Sequence, residues 1–502
     1  MAGLQRRTLL AASLLLGLAG CPRAAVDGGA FAGADSGGAG MDGDTAANDA
    51  GVTDTAATDT SKSDAGATDT ATSDTASTDL GDETTAGDAA DPDSGAADVL
   101  DGCSGGCDDG DPCTTDACVS GACSSKPTAG GGCFGGGTCT AGTCFAEAKG
   151  PFRDLFAGYD ATCAVSTQGV HCWGANTKGQ LGAGEKAGFG GSTTPLPVAA
   201  SGAQRMIGRS QTICTLLQAS GSKLSVACWG DNFWGQLGNG NPQHQDAPVA
   251  FPSTADVTSF AVGDRHVCVR TSDGALACSG SDSDGQLGDG TVGDKTSLPI
   301  VLPGTKDWLR VYAGGETTCA VRPAGALWCW GDNEYGEVGV GSSKKNLPTP
   351  QDTGLRGVSS VAIGDDHVCA VTPLGPYCWG ANTSGQVAQT GAGPFLTPKP
   401  VAVDAVEVLA NDNASCAIGA DAKLRCWGSN QQKVIDPDAS STVATPMLVA
   451  GLGTIRRAAL AEAHLCVIDT GGHMRCRGYN SNGELGNGST KPSFAWVEVT
   501  PP

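Results

Sequence analysis

From residue 150 onward, apolar side chains fall in short runs bounded by glycine, proline, serine and aspartate, the signature of strands joined by tight turns. Trp308-Leu-Arg-Val-Tyr-Ala and Val358-Ser-Ser-Val-Ala-Ile are two such runs. Each is followed by two runs that each carry a cysteine. A glycine-containing turn, such as Ser272-Asp273-Gly274, joins them and predicts a hairpin. A proline-marked run, for example Pro400-Val-Ala-Val403, reads as a fourth strand. No sustained 3.6-residue period occurs, so almost no helix is predicted. The position of Trp308 is held in the other units by Phe152, Ala203, Val257, Val358, Ala405 and Ile455, all apolar, and is expected in the core.

The unit repeats. Its leading cysteine recurs at Cys163, Cys214, Cys268, Cys319, Cys369, Cys416 and Cys466, in steps of 51, 54, 51, 50, 47 and 50 residues. The second follows at Cys172, Cys228, Cys278, Cys329, Cys378, Cys426 and Cys476, nine or ten residues later except for fourteen in the second unit. A four-stranded unit repeated seven times over residues 150–502 predicts an all-β fold, a seven-bladed β-propeller; an open solenoid is the alternative. The C-terminal run Phe494-Ala-Trp-Val-Glu-Val499 is expected to complete the blade that begins at residue 152, closing the ring by strand exchange. Facing positions on antiparallel strands lie close enough for a disulfide. One bridge per blade is therefore expected, each worth roughly 2.7 kcal/mol through loop closure. The alternative is buried free thiols packed as small hydrophobes.

The run Cys228-Trp-Gly-Asp-Asn-Phe-Trp-Gly-Gln-Leu-Gly238 resembles the repeat of the regulator of chromosome condensation family. Gly-Gln-Leu-Gly is intact at residues 179, 235 and 285, and varies to Gly336-Glu-Val-Gly339, Gly385-Gln-Val-Ala388 and Gly483-Glu-Leu-Gly486. The sixth unit departs, with Ser429-Asn-Gln-Gln-Lys-Val, and Ser279 and Arg477 stand where the other units have tryptophan. The resemblance covers residues 150–502 and implies a seven-bladed propeller. Eukaryotic members bind chromatin and exchange nucleotide on a small GTPase. An exported acidic chain would meet neither, so that activity is not expected here.

Export is written at the other end. Arg6 and Arg7 precede an apolar run from Leu9 to Gly20, too short to span a bilayer as a mature helix. It ends in Leu18-Ala-Gly-Cys21, which resembles the lipobox of bacterial lipoproteins. Residues 1–20 are thus read as a lipoprotein signal peptide and Cys21 as the lipidated residue that attaches the chain to membrane. Residues 22–102 carry eighteen acidic residues against only Arg23 and Lys62, and hardly any large hydrophobe. Residues 21–102 are expected to be a disordered acidic tether. The net charge of −23 argues against a nucleic-acid partner, and 23 cysteines argue for an oxidising compartment. The expected location is the bacterial cell envelope, lipid-anchored and extracytoplasmic, at the outer membrane or cell surface rather than the inner membrane.

Residues 103–149 form a cysteine-rich module with Cys103, Cys107, Cys113, Cys118, Cys123, Cys133, Cys139 and Cys144. So little apolar material needs covalent staples, so four disulfides are expected; eight cysteines allow 105 pairings. The module has no histidine, which argues against zinc. Asp108, Asp109 and Asp111 are expected to be solvated turn residues, with calcium binding as the less favoured alternative.

Catalytic patterns are scarce. His266, His367 and His464 share one repeat position, two before the leading cysteine, and ring symmetry would spread them apart, so structural roles are expected rather than a metal. Gly288-Asp-Gly-Thr-Val-Gly293 matches a dinucleotide fingerprint as text but no helix follows it. Acidic residues show no repeated acid–base pattern. In the loop after the motif asparagine, Phe233-Trp234 and Tyr335 stand where other units have small or polar residues, and are candidate partner-binding anchors or inter-blade plugs. The expected function is a lipid-anchored envelope binding or adhesion protein, not an enzyme, that recognises a protein or surface glycan. The alternative is an extracytoplasmic enzyme acting on carbohydrate or metabolite, of the propeller-lyase type. Titrating groups clustered on the axis would favour the enzyme; an aromatic-studded face beside a plain axis would favour binding.

Overall fold

The computed structural model describes residues 150–501, apart from 189, 219–222 and 254, together with the strands Thr114–Val119, Ala122–Pro127, Thr138–Thr140 and Thr143–Phe145. The signal peptide, Cys21, the tether and Asp108, Asp109 and Asp111 lie outside the described residues.

Seven four-stranded antiparallel sheets follow one another along the chain. The first comprises Phe152–Ala157, Ala161–Ser166, Gly169–Gly174 and Ser192–Val198. The last comprises Ile455–Leu460, His464–Asp469, Met474–Gly478 and Ser493–Glu498. The first strand of every sheet touches the first strands of both neighbours, and those of the seventh and first sheets also meet, so the sheets form a closed ring of seven blades. Two short 3₁₀ turns, Gly184–Lys186 and Pro323–Gly325, are the helical content of the described residues.

Burial explains the order of strands. The second strand, buried along its length in blade one, is sandwiched between neighbours within the blade and adjacent blades on either face. The fourth is mostly open to solvent and carries prolines, for example Pro195 and Pro197, which withhold the N–H groups that an exposed edge would otherwise offer to another chain. The reading of Pro400-Val403 as a strand needs correction: the strand is Phe395–Pro400, and Val401 instead tucks into the core beyond its end.

Strand exchange at the ring closure is also corrected. Ser493–Glu498 completes blade seven, and blade one is built wholly from residues 152–198. Each blade already has four consecutive strands, so none is left to lend. Side chains close the ring instead: Phe152, Leu155 and Trp173 of blade one pack with Ile468, Met474 and Leu485 of blade seven. The Arg456 guanidinium donates to the Phe152 carbonyl at 2.6 Å.

Within each blade the two cysteines face each other on the second and third strands, as in Cys163 opposite Cys172. All seven pairs are disulfides with Cα–Cα distances of 4.0–4.1 Å, including the fourteen-residue loop of blade two. The fourteen cysteines are buried, so the bridges lie inside the interfaces between blades.

The residue after the second cysteine ties each blade to its predecessor. The indoles of Trp173, Trp229, Trp330, Trp379 and Trp427 are buried, and each Nε1 donates to a loop carbonyl of the preceding blade. The two departures keep the bond. Ser279 donates its hydroxyl to the Gln236 carbonyl at 3.0 Å, and the buried ring of Phe251 lies against the same glycine, Gly238, that would otherwise meet an indole. Arg477 donates to the carbonyls of Val434 and Ile435.

Candidate functional site

Two sets of connections share one face of the ring: the turns between first and second strands, and the loops between third and fourth. In all seven blades, the N–H three residues after the second cysteine donates to the carbonyl three residues before the first, as in Ala175 to Asp160 and Asp231 to Gln211. The residue just before that donor is always glycine, from Gly174 to Gly478, with φ between 97° and 126°. A Cβ there would collide with the same carbonyl, so both the backbone angle and the close approach demand glycine.

The loop beyond is organised by its asparagine. In six blades this residue's side-chain oxygen accepts the N–H five residues on, as in Asn176 with Leu181 at 3.0 Å, while its Nδ2 donates to loop carbonyls. The sixth blade, despite its divergent sequence, keeps the arrangement through Asn430 and Ile435, with Lys433 at φ 57° in place of glycine. Blade three has Asp282, which accepts from Leu287 and from the Thr291 hydroxyl. Burial pushes its carboxyl up to about 6.

These loops display the candidate anchors. Phe233 is 57 % exposed, which rules out the reading of it as an inter-blade plug. Its ring meets the half-buried Trp234 edge to face at 5.3 Å. Lys295, from the outer strand of blade three, lies 4.5 Å over the Phe233 ring and 5.5 Å over Trp234, and donates to the Phe233 carbonyl at 2.8 Å. Arg265 of blade three lies over the other ring, 5.1 Å from the Trp234 centroid. Tyr335, half-buried, occupies the position of Trp234 two blades along the same face. Sequence alone could not find Lys295 and Arg265, because neither sits in the repeat position of the aromatics.

The inner turns hold a feature that the sequence reading missed. Asp160, Asp264, Glu316, Asp365, Asp366, Asp412 and Glu462 all occur three or four residues before a leading cysteine, and the ring brings these turns together around the axis. Aligning the units on that cysteine would have shown it. Arg209 of blade two reaches across: its Nε donates to Asp264 of blade three at 2.8 Å, Nη1 to the Ile363 carbonyl of blade five at 3.0 Å, and Nη2 to Asp365. Burial works against the Arg209 charge, but the two carboxylates outweigh it and keep the guanidinium protonated. Burial, together with neighbouring carboxylates, raises Asp412 and Asp365, which are hydrogen-bonded to each other. Burial and the Asp264 charge push Glu316 up to about 7, against the opposing pull of Arg265 at 3.2 Å.

The three histidines are buried in the interfaces between blades. Each Nε2 meets a hydroxyl of the next blade: His266 with Thr318 at 2.8 Å, His367 with Ser415 at 2.7 Å, His464 with Thr162 at 2.8 Å. Each hydroxyl donates onward to a loop carbonyl, so the imidazole must be the N–H donor. Burial lowers them to about 4, 3 and 4 respectively. Among the described residues no group of three or more His, Cys, Asp or Glu is arranged to hold a metal ion.

Comparison with known proteins places this architecture. Sequence profiles of the regulator of chromosome condensation (RCC1) repeat match residues 225–270 and 324–371, and, in a second form, 152–180, 257–286 and 309–337. The chain is 26 % identical over 338 residues to the human E3 ubiquitin-protein ligase HERC2, covering 64 % of this chain and 7 % of the ligase. It is 28 % identical over 295 residues to the ultraviolet-B receptor UVR8 of Arabidopsis thaliana, covering 55 % of this chain and 65 % of the receptor. Among solved structures, human WBSCR16 superposes with a TM-score of 0.57 at 18 % identity, over 66 % of this chain and 93 % of that one. Yeast RCC1 (Prp20) bound to Kap60 superposes with a TM-score of 0.58 at 18 % identity, over 70 % and 86 %. The ring of this chain is thus a seven-bladed propeller that contains regulator of chromosome condensation repeats, matched between residues 152 and 371.

Proposed function

We propose that the protein is a lipid-anchored, extracytoplasmic recognition protein of the bacterial cell envelope that binds a protein or surface-glycan partner through the loop face of its propeller. The observation that carries this reading is the exposed Phe233–Trp234 corner under Lys295. A rigid pair of rings beside a cation offers both apolar area and a hydrogen-bond donor at little ordering cost, as binding hot spots do. A protein of the same fold, yeast RCC1 (Prp20), has been solved bound to Kap60. The lipobox-like Cys21 and the tether support the location by sequence alone.

The test is site-specific photo-cross-linking in the native envelope. A photoreactive residue at position 233 is expected to give a discrete adduct, and one at Leu374, 87 % exposed on the turn between second and third strands at the opposite end of its blade, is not. Equal labelling at both positions, or none at 233, would remove the loop-face reading.

One observation favours a second reading. The ring of carboxyl groups around Arg209 is the axial cluster of titrating groups expected of an extracytoplasmic enzyme acting on carbohydrate or metabolite. Arg209 pairs with two of its members, which also fits a purely structural ion network. Turnover of a carbohydrate abolished by Asp412→Asn in a folded protein would decide for the enzyme.

A further inference from the structure

The two hairpins outside the propeller share a pattern that selects disulfides among the eight cysteines of the module. Thr114–Val119 pairs antiparallel with Ala122–Pro127, and Thr138–Thr140 with Thr143–Phe145. Both carry Cys-x-x-Gly-x-Cys, as Cys118-Val-Ser-Gly-Ala-Cys123 and Cys139-Thr-Ala-Gly-Thr-Cys144. In both, two residues ending in glycine separate the innermost pair, Val119 opposite Ala122 and Thr140 opposite Thr143. With a two-residue connection the pair flanking the turn is the hydrogen-bonded one, so the next pair out is non-hydrogen-bonded. There the Cα atoms approach to about 4.5 Å and side chains are closest. That next pair is Cys118 opposite Cys123 in one hairpin, and Cys139 opposite Cys144 in the other.

The propeller supplies the precedent within the same chain. All seven cysteine pairs set directly opposite each other on its antiparallel strands are bonded, at Cα–Cα distances of 4.0–4.1 Å. We infer that Cys118–Cys123 and Cys139–Cys144 are disulfides, each closing its own hairpin. Of 105 connectivities for eight cysteines, only the three that pair Cys103, Cys107, Cys113 and Cys133 among themselves then remain. The module is therefore two self-stapled hairpins of one design, and in each remaining connectivity one bridge joins Cys133 to a cysteine that precedes the first hairpin.

Each bond forms by thiol–disulfide exchange with a protein disulfide donor, the class of oxidant that the seven blade bridges also require. One thiolate attacks the donor's disulfide, and the second displaces the donor as a dithiol. Two electrons and two protons thereby pass from the cysteines to the donor. The inference rests on the extracytoplasmic reading.

The experiment takes the full-length unreduced protein from its native envelope, alkylates it in denaturant at mildly acidic pH, and digests it with thermolysin. This protease cuts before Val119 and Ala122 and so separates Cys118 from Cys123. Fragments ending at Cys118 are expected to be joined to fragments containing Cys123. A fragment joined instead to any other cysteine overturns the pairing. In parallel, Cys118→Ser is expected to make Cys123 the newly alkylated residue, and Cys139→Ser to do the same for Cys144; label at another module cysteine overturns it. Alkylation of the blade cysteines in the same wild-type sample would count against the compartment instead, so the two failures are distinguishable.

Discussion

At the scale of single residues, the blade interfaces follow a pairing rule that can be read within this one chain. Where a blade carries His two positions before its leading cysteine, the next blade carries Thr or Ser just before its own: His266 with Thr318, His367 with Ser415, His464 with Thr162. Where it carries Ala161, Thr212, Thr317 or Ala414, the next blade has Ile213, Val267, Val368 or Leu465. A buried imidazole N–H needs an acceptor, and an apolar neighbour needs none. Ser415→Val alone is expected to cost about 1–3 kcal/mol by stranding the His367 N–H. Adding His367→Ala should return part of that loss, giving a positive coupling in a double-mutant denaturation cycle. Because burial holds the imidazoles near 3–4 against an ordinary 6.5, the unfolded chain takes up protons that the folded one refuses. Their stabilisation is therefore complete above pH 6.5 and is lost as pH falls toward 4. Replacing all three histidine–hydroxyl pairs by Ala–Val pairs should flatten this acid-side loss in denaturant titrations.

Glu337 has the opposite sign. It occupies the place of Gln180, Gln236, Gln286 and Gln386, is fully buried, and burial followed by the Asp332 charge pushes it up to about 9. The folded state keeps a proton that the unfolded chain releases above its ordinary 4.5, so stability declines as pH rises from 4.5 toward 9. Glu337→Gln is expected to stabilise the protein on the order of 2–3 kcal/mol near neutral pH and little near pH 5. Equal effects at the two pH values would show that the carboxyl is not held neutral.

At the scale of the blade, the inner three strands were legible in the sequence and the outer one less so. Cysteine and apolar spacing place the first three strands because the second and third are buried almost throughout and the first alternates buried with half-buried positions, whereas the fourth, half-exposed and polar, leaves only prolines as a signal. That is why the proline signal at Pro400-Val403 falls several residues beyond the start of the strand Phe395–Pro400. The tryptophan positions were legible, but the reason Ser279 and Arg477 can replace them was not, since it lies in the preceding blade's carbonyls. Trp379→Ala, which empties a fully buried indole site and removes the bond to the Glu337 carbonyl, should cost about 3–5 kcal/mol in urea unfolding with disulfides intact. Phe233→Ala, at an exposed ring, should leave the unfolding midpoint unchanged while abolishing co-purification of the partner that a photoreactive residue at 233 captures.

At the scale of the whole molecule, ring closure and the axial network depend on contacts between residues far apart in the chain, and neither was visible locally. The C-terminal run looked like a donated strand because a lone strand and a closed ring suggest exchange; counting four strands in each blade shows that packing and the Arg456 bond suffice. Around the axis, Arg209 joins blades two, three and five against a ring of carboxyl groups. Arg209→Met should destabilise the protein by about 3–5 kcal/mol at neutral pH by leaving those carboxylates unpaired. The loss should shrink as the pH falls and Asp365 and Asp412, both already raised, become protonated.

We propose that oxidised blades lock a propeller that its N-terminus holds outside the cytoplasm. The most direct test is mass spectrometry of the protein taken from its native membrane, alkylated without reduction and mapped from the N-terminal fragment onward. Seven intact bridges, from Cys163–Cys172 to Cys466–Cys476, and a chain that begins at an acylated Cys21 are expected. Alkylated blade thiols on a chain that still begins at Met1 would contradict the proposal.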